Sequence, residues 1–253
     1  MPETLDPAQH VKPYVYESLT SKALHFSISE IQSRMRLADP YALDLEYTRL
    51  MMGFVLFHPQ PKQIVMIGLG GGSLAKFCHR HLPDTHIQVV EINPHVIALR
   101  DEFHVPPDSE RFHVVPGDGA RYVRLRARRP DVLVVDGFGP DGQPARLCSQ
   151  RFYDDCAEML QPGGVLVVNL HRGHRHYDVF IDRIQRSFGG SALAVEDSEG
   201  SNGIVFACKG YTLDKAAAGL LRKPTPLPPA AATPLQAALA RVKRALEKQR
   251  HAG

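Results

Sequence analysis

The chain has 253 residues, 43% of them hydrophobic, which is enough to bury a substantial core as one α/β domain with appendages or as two small domains. Its net charge of +3 is uneven: residues 222–253 carry seven Lys or Arg against Glu247 alone, or +6, which leaves −3 for the first 221 residues. A mildly acidic body argues against nucleic-acid binding, which requires a basic face.

The cysteines and the amino-terminal segment predict a reduced environment. Cys78, Cys148, Cys156 and Cys208 lie far apart with no CxxC pair, and the opening MPETLDPAQHVKP lacks the apolar core of a signal peptide. No stretch approaches the roughly 20 apolar residues that cross a bilayer. We therefore expect a cytoplasmic protein without membrane insertion.

Short strands and then a helix are predicted for residues 1–60. The strand candidates lie in ALHFSISEIQSRMRL, where alternation is partial, and LEYTRLMMGFVLF has apolar residues at helical spacing. The prolines of HPQPKQ remove backbone donors and predict an extended connection into the next segment.

Residues 61–212 alternate apolar strands with helical segments. The strands are IVMIGLG, IQVVEI, FHVVPGDG, DVLVVDGF and GVLVVNL, followed by a last pair around ALAVE and GIVFACKG. Such repeats predict an α/β, Rossmann-like fold with a mostly parallel seven-stranded sheet, right-handed crossovers and helices on both faces. Ligands of such sheets bind outside the carboxyl ends of the strands.

The last segment, residues 213–253, has a different composition. KPTPLPPAAATP is typical of a stiff linker, and LQAALARVKRALEKQR predicts one basic amphipathic helix in a charged, solvated tail, with binding of acidic partners or membranes as the alternative.

The glycine loop after the first of these strands is a candidate nucleoside contact through Gly68, Gly70 and Gly72. It lacks the Gly-Lys-Ser/Thr ending of a P-loop, so ATP or GTP chemistry is disfavoured. Gly68 and Gly70 match the first two glycines of a dinucleotide fingerprint, but Ser73 stands at the third. A tight strand-to-helix turn that needs positive φ is the alternative.

Acidic residues follow the next two strands. Glu91 lies roughly 20 residues past the loop, where a carboxylate can accept from both ribose hydroxyls of NAD or S-adenosylmethionine. Asp118 could accept from the exocyclic amine of adenine while Gly119 leaves room for the ring. Either acid alone could be a solvated strand end or a helix N-cap. Together with the loop they predict an adenosine site without a pyrophosphate.

Five motifs in this order resemble the polyamine aminopropyltransferases, the spermidine synthase-like group: IGLGGGS, VVEINPHVI, PGDGARYV, DVLVVDGF and FYDDCAEMLQPGGVLVV. The resemblance covers residues 12–210 and implies an S-adenosylmethionine methyltransferase-type Rossmann core under a small N-terminal β-rich subdomain. It also implies S-adenosylmethionine or its decarboxylated form as donor, a small-molecule acceptor of the polyamine class, and a homodimer.

The same resemblance implies roles for individual residues. Gln32 would help to hold the nucleoside, Glu91 the ribose, and Asp118 with Gly119 the adenine. Asp136 would occupy the position of the catalytic acid. A nucleophile that attacks a carbon on a sulfonium must be uncharged, in line, and close to a base, which Asp136 could supply. Asp136 could also be a strand-end acid that caps the following turn.

Several positions depart from the family pattern. Gly71 replaces an Asp that holds the terminal ammonium of decarboxylated S-adenosylmethionine, and Gly139 replaces an Asp that binds the acceptor amine. The family's Tyr on the first helix appears as Tyr47, displaced by one position. Asp141 or Glu199 could substitute for the missing acids. The nucleoside half of the site is therefore expected to be kept and the polyamine half altered.

Three functions remain open. The first is a spermidine synthase-like transferase with an altered polyamine half-site that passes an alkyl group, methyl included, to a small nucleophile. The second is an authentic aminopropyltransferase with relocated acids, and the third is a non-catalytic nucleoside-binding module. No metal is expected, because His171, His174 and His176 in HRGHRHY have no acid or Cys at ligand spacing, which favours a polar loop.

Overall fold

The computed structural model describes residues 5–27, 31–125, 129–140, 142–210, 213 and 227–252. Its strands form two sheets. The small sheet is antiparallel, in the order β1 (Tyr14–Glu17), β2 (Ser21–His25), β3 (Ile31–Arg36). The strands of the large sheet are β4 (Gln63–Ile67), β5 (His86–Glu91), β6 (Phe112–Pro116), β7 (Val132–Val135), β8 (Val165–His171), β9 (Ala192–Glu196) and β10 (Asn202–Cys208). The α-helices are α1 (Glu46–Met51), α2 (Ser73–His81), α3 (Pro94–Ala98), α4 (Gly119–Leu125), α5 (Gln150–Met159), α6 (Tyr177–Ser187) and α7 (Pro229–Ala252).

The large sheet has the strand order β6-β5-β4-β7-β8-β10-β9. β4 to β8 pair in parallel, and β10 runs antiparallel to both of its neighbours. The order reverses between β4 and β7, which creates a crevice at the carboxyl ends of these strands. The predicted α/β, Rossmann-like fold of the methyltransferase type is confirmed.

The central strands are mostly apolar because helices cover both faces of the sheet. All four residues of β7 are buried, as are the first six of β8. One hydrophobic cluster lies with α1, α2 and α7, and a second lies with α4, α5 and α6. This packing holds the strand ends, and hence the crevice, in a fixed geometry.

The C-terminal helix α7 corrects the prediction of a solvated tail after a long linker. It begins at Pro229, within the predicted linker, because proline suits the first helical turn and the Ala-rich run that follows favours helix. Leu235, Val242 and Leu246 are buried against the rest of the chain. Residues 223–226 of the predicted linker KPTPLPPAAATP lie outside the described residues.

The small sheet lies beside the carboxyl edge of the large one. Leu24 and Met35 join the larger hydrophobic cluster, and Asn93 donates to the Val11 carbonyl oxygen at 2.8 Å. The boundaries at residues 60 and 212 stay a prediction. Among the described residues, no helix combines the length and the apolar character needed to span a membrane.

Candidate active site

A cleft of about 1330 Å³ lies at the carboxyl ends of β4, β5, β6 and β7, with residues of β3 on its opposite wall. It lies where the topology of the sheet predicts a ligand. Seven of the eight predicted site residues line it: Gln32, Gly68, Gly70, Glu91, Asp118, Gly119 and Asp136. The eighth, Gly72, is buried outside the lining.

The glycine loop brings β4 close to β7. Gly68 has a φ of 99°, and a Cβ there would lie 2.2 Å from the Asp136 carbonyl oxygen, so no side chain fits. Gly72 caps α2 with a φ of 67°, and a Cβ on it would lie 2.5 Å from Val105 Cγ2. For Gly72, the tight-turn alternative therefore describes the structure.

Glu91 is held at the cleft by the backbone. Its Oε2 accepts from the Leu69 N–H and its Oε1 from the Asn93 N–H, both at 2.8 Å. Burial raises the pKa of Glu91, while N–H donors from Asn93, Leu69 and Ile92 oppose that rise. A carboxylate has about four acceptor positions, so these three backbone donors leave capacity for a ribose hydroxyl.

Asp118 makes two contacts of its own within the chain. Its Oδ1 accepts from the Ala120 N–H at 2.9 Å, as in a helix cap, and its Oδ2 lies 2.8 Å from Arg146 Nη1. Next to it, a Cβ on Gly119 would lie 2.2 Å from Ile67 Cγ2, so glycine is needed for close packing on β4. An adenine amine would share Asp118 with the Arg146 guanidinium or displace it.

Asp136, directly after β7, lies among hydrogen-bond donors. Asn169 Nδ2 donates to Asp136 Oδ1 at 2.9 Å, and the Tyr47 hydroxyl also donates to this carboxylate. Burial raises the pKa of Asp136, and the two donors act in the opposite direction. Burial and the charge of Asp136 raise the pKa of Tyr47, which keeps the phenol protonated as a donor. Despite the predicted displacement by one position, Tyr47 reaches the acid.

Gly71 and Gly139 stand where the resemblance places two further acids, and the space around these two glycines differs. A Cβ on Gly71 would lie 2.7 Å from Ser33 Oγ and 2.8 Å from Phe103 Cδ1, so neighbouring side chains fill that space. Gly139 pairs with Gly142 through two backbone hydrogen bonds, and a Cβ on it would be 3.9 Å from the nearest atom. Glu199 is exposed and lines the cleft, whereas Asp141 lies outside the described residues.

Two site residues were missed from the sequence. Asn169 interrupts an apolar strand, and a buried polar side chain near a strand end is a readable signal. Arg146 gave no such signal, because it lies in a short 3-10 helix (Ala145–Leu147) and pairs with Asp118, 28 residues earlier in the chain.

The histidine-rich loop contacts an aromatic side chain. The ring centroids of His174 and His176 lie 5.0 and 6.3 Å from that of Phe180. In the described part of the chain, no group of three or more His, Cys, Asp or Glu is arranged to hold a metal ion.

The amino-acid sequence matches the family model of the spermine/spermidine synthase domain over residues 44–190. A polyamine aminopropyltransferase of Chromobacterium violaceum is 40% identical over 187 residues, which cover 74% of this chain and 72% of that protein. A polyamine aminopropyltransferase of Neisseria meningitidis serogroup A is 38% identical over 188 residues, with the same two coverages.

Solved structures share the fold at lower identity. A probable spermidine synthase from Corynebacterium glutamicum has a TM-score of 0.66 at 20% identity and covers 85% of each chain. Human methyltransferase-like protein 13 in complex with SAH has a TM-score of 0.61 at 23% identity, over 79% of this chain and 93% of the other.

Fold, cleft and relatives together define an enzyme, a transferase of the S-adenosylmethionine type. The match covers more than half of the residues. The chain belongs to the spermine/spermidine synthase family.

Proposed function

We propose that this protein transfers an aminopropyl group from decarboxylated S-adenosylmethionine to a small amine of the polyamine class. Two relatives at 40% and 38% identity bear the name polyamine aminopropyltransferase, which favours aminopropyl over methyl transfer. The observation that carries the proposal is the placement of Asp136, with Tyr47 and Asn169, in the same cleft as Glu91 and Asp118.

The reaction needs a neutral amine aligned with the carbon next to the sulfonium. In the proposal, Asp136 accepts the proton that the amine loses as the new C–N bond forms, and the thioether leaves as methylthioadenosine. Asn169 and Tyr47 fix the carboxylate by donating to it, so its lone pairs are oriented before the substrate binds. Its raised pKa makes it a better base than an ordinary carboxylate.

The nucleoside would be bound at the neighbouring strand ends. Glu91 would accept a hydrogen bond from the ribose, and Asp118 would accept one from the exocyclic amine of adenine. The glycine loop would let the backbone approach the ligand. Gln32, on the β3 wall, would contact the nucleoside from the other side. The predicted homodimer and cytoplasmic location are kept as parts of the proposal.

Methyl transfer from S-adenosylmethionine is a second candidate, and the surroundings of Gly71 favour it. Ser33 and Phe103 occupy the space in which an Asp side chain would stand. The ammonium of a decarboxylated donor would therefore lack a carboxylate partner there, at a cost of about 1–3 kcal/mol for an unpaired polar group. S-adenosylmethionine carries its own carboxylate and needs no such partner.

The test is a matrix of the two donors against putrescine, cadaverine and spermidine, with the products analysed by mass spectrometry. We expect an aminopropylated amine and methylthioadenosine, and no product from Asp136→Asn. The exposed Asp178 on α6 offers a matched control, and Asp178→Asn should retain full turnover. Methylated amine with S-adenosylhomocysteine would establish the second candidate, and absence of product with every pair would refute both.

A further inference from the structure

Three elements that are distant in sequence meet at Glu46, the first residue of α1. Ser198, between β9 and β10, donates to Glu46 Oε1 from its backbone N–H at 3.1 Å and to Oε2 from its hydroxyl. Arg241 of α7 places Nη2 3.7 Å from Glu46 Oε1. We refer to Glu46, Ser198 and Arg241 as the junction.

Arg241 is anchored a second time in the same region. Its Nη1 donates at 3.2 Å to the carbonyl oxygen of Glu196, the last residue of β9. The side chains of Glu46 and Arg241 are 22% and 34% exposed, so solvent screens their attraction only in part. Arg241 therefore links α7 both to Glu46 at the start of α1 and to the end of β9, and Glu46 in turn holds the β9–β10 turn through Ser198.

Close apolar packing determines where Arg241 stands. Val242, the next residue, is fully buried, and a Cβ on Gly53 would lie 3.0 Å from Val242 Cγ2. Leu239 and Leu246 are buried on the same helix. Because this face of α7 is fixed against the chain, Arg241 is presented to Glu46 at a defined position.

The junction borders the cleft on two sides. Tyr47, which donates to Asp136, directly follows Glu46. Asp197 and Glu199 of the β9–β10 turn line the cleft, as does Asn202 at the start of β10. Movement at the junction would therefore alter the distance between the catalytic carboxylate and this turn.

We propose that Glu46 and Arg241 are positioning residues that hold Tyr47 and the turn at residues 197–202 around the acceptor amine. The C-terminal helix, which lies outside the matched family domain, thereby completes the acceptor side of the cleft. The inference rests on the proposed function, because it assigns the acceptor to this side. Glu46 itself lines the cleft and Arg241 does not, and in this proposal both act through Tyr47 and the turn.

Kinetics with the donor and acceptor varied separately test the assignment. Glu46→Gln and Arg241→Ala should raise the KM for the acceptor about fivefold to tenfold, the scale of a partly buried ion pair. Affinity for methylthioadenosine should stay unchanged, and Arg241→Lys should recover part of the loss. Arg244→Ala, an exposed position on the same helix, is the matched control. An unchanged acceptor KM together with a lower melting temperature would show a structural role only and overturn the proposal.

Hydrogen exchange gives a readout that does not depend on activity. The Ser198 amide donates to Glu46, so its exchange should be faster in Glu46→Gln and Arg241→Ala than in the wild type or in Arg244→Ala. Unchanged protection of residues 197–202 would refute the junction, even in an active enzyme. If no donor and acceptor pair reacts, the proposed function fails, while the exchange data still decide whether the junction exists.

Discussion

Leu69, in the glycine loop, donates its backbone N–H to Glu91 Oε2 at 2.8 Å. This hydrogen bond joins the loop after β4 to the acidic residue that ends β5. Asn93 holds the other carboxylate oxygen at the same distance. The position of Glu91 is thus set before any ligand arrives, which lowers the ordering cost of binding.

The pair of Asp118 and Arg146 predicts a salt-dependent affinity. Arg146→Ala should bind methylthioadenosine up to about fivefold more tightly at low salt, because an exposed ion pair of at most about 1 kcal/mol no longer competes with adenine. The difference should vanish near 0.5 M salt, where screening is strong. Calorimetric titration at both salt concentrations measures it.

Arg151→Ala supplies the control for that prediction, since Arg151 is 78% exposed and pairs with Asp155 away from the cleft. Weaker binding by Arg146→Ala at low salt would mean that the guanidinium contributes to the ligand site instead of competing for Asp118.

Asp136→Asn should change stability with pH. The folded-state pKa of Asp136 is raised, so its ionised form destabilises the fold at neutral pH, and this cost disappears as pH falls below the unfolded pKa. Relative to the wild type, Asp136→Asn should gain stability at pH 7 and little or none at pH 3, as measured by urea unfolding. A gain that is larger at pH 3 would contradict the raised pKa.

Tyr47→Phe should shift the acid limb of the kcat/KM profile. The Tyr47 hydroxyl donates to the Asp136 carboxylate and lowers its pKa, so removal of that donor raises the pKa further. The limb should move to higher pH, with a lower maximum. An unchanged limb, measured with saturating donor, would exclude Asp136 as the titrating base or Tyr47 as its partner.

The buried side chain of Lys76 should make the free energy of unfolding depend on pH. Its Nζ donates to the Phe103 carbonyl oxygen at 2.7 Å, and burial lowers its pKa from 10.5 to about 8. Between these values the unfolded chain holds a proton that the folded protein has released, so folding becomes more favourable as pH rises.

The measurement for Lys76 compares the wild type with Lys76→Met. From pH 8 to pH 10, the free energy of unfolding of the wild type should rise relative to that of the variant, by at most about 1.4 kcal/mol per pH unit. Lys62→Met, at an exposed position, should show no such relative change. Parallel pH curves for the wild type and Lys76→Met would contradict the lowered pKa.

Strands and strand-end residues could be predicted because their signals are local. The apolar run at β7 and the polar residue that follows it place Asp136 at the sheet edge without knowledge of any contact. Glu91 and Asp118 follow the same rule, because parallel neighbours end at the same edge.

Contacts between distant segments could not be predicted in this way. Val242 of α7 packs close to Gly53, and nothing within the helix specifies that partner. Likewise, Tyr47 and Asp136 are 89 positions apart, and only the folded chain brings them together. Single-sequence periodicity describes which face of an element is apolar, but not what covers that face.

The central claim is that Glu91 and the glycine loop bind an adenosine that carries sulfur, and calorimetry with methylthioadenosine tests it most directly. The account predicts one binding site in the wild type. Glu91→Gln should lose about 1–3 kcal/mol of binding free energy, because its amide NH2 replaces one of the two accepting carboxylate oxygens. The exposed control Glu110→Gln should lose none. Equal affinity in the wild type and Glu91→Gln, or tight binding of NADH with none of methylthioadenosine, would contradict it.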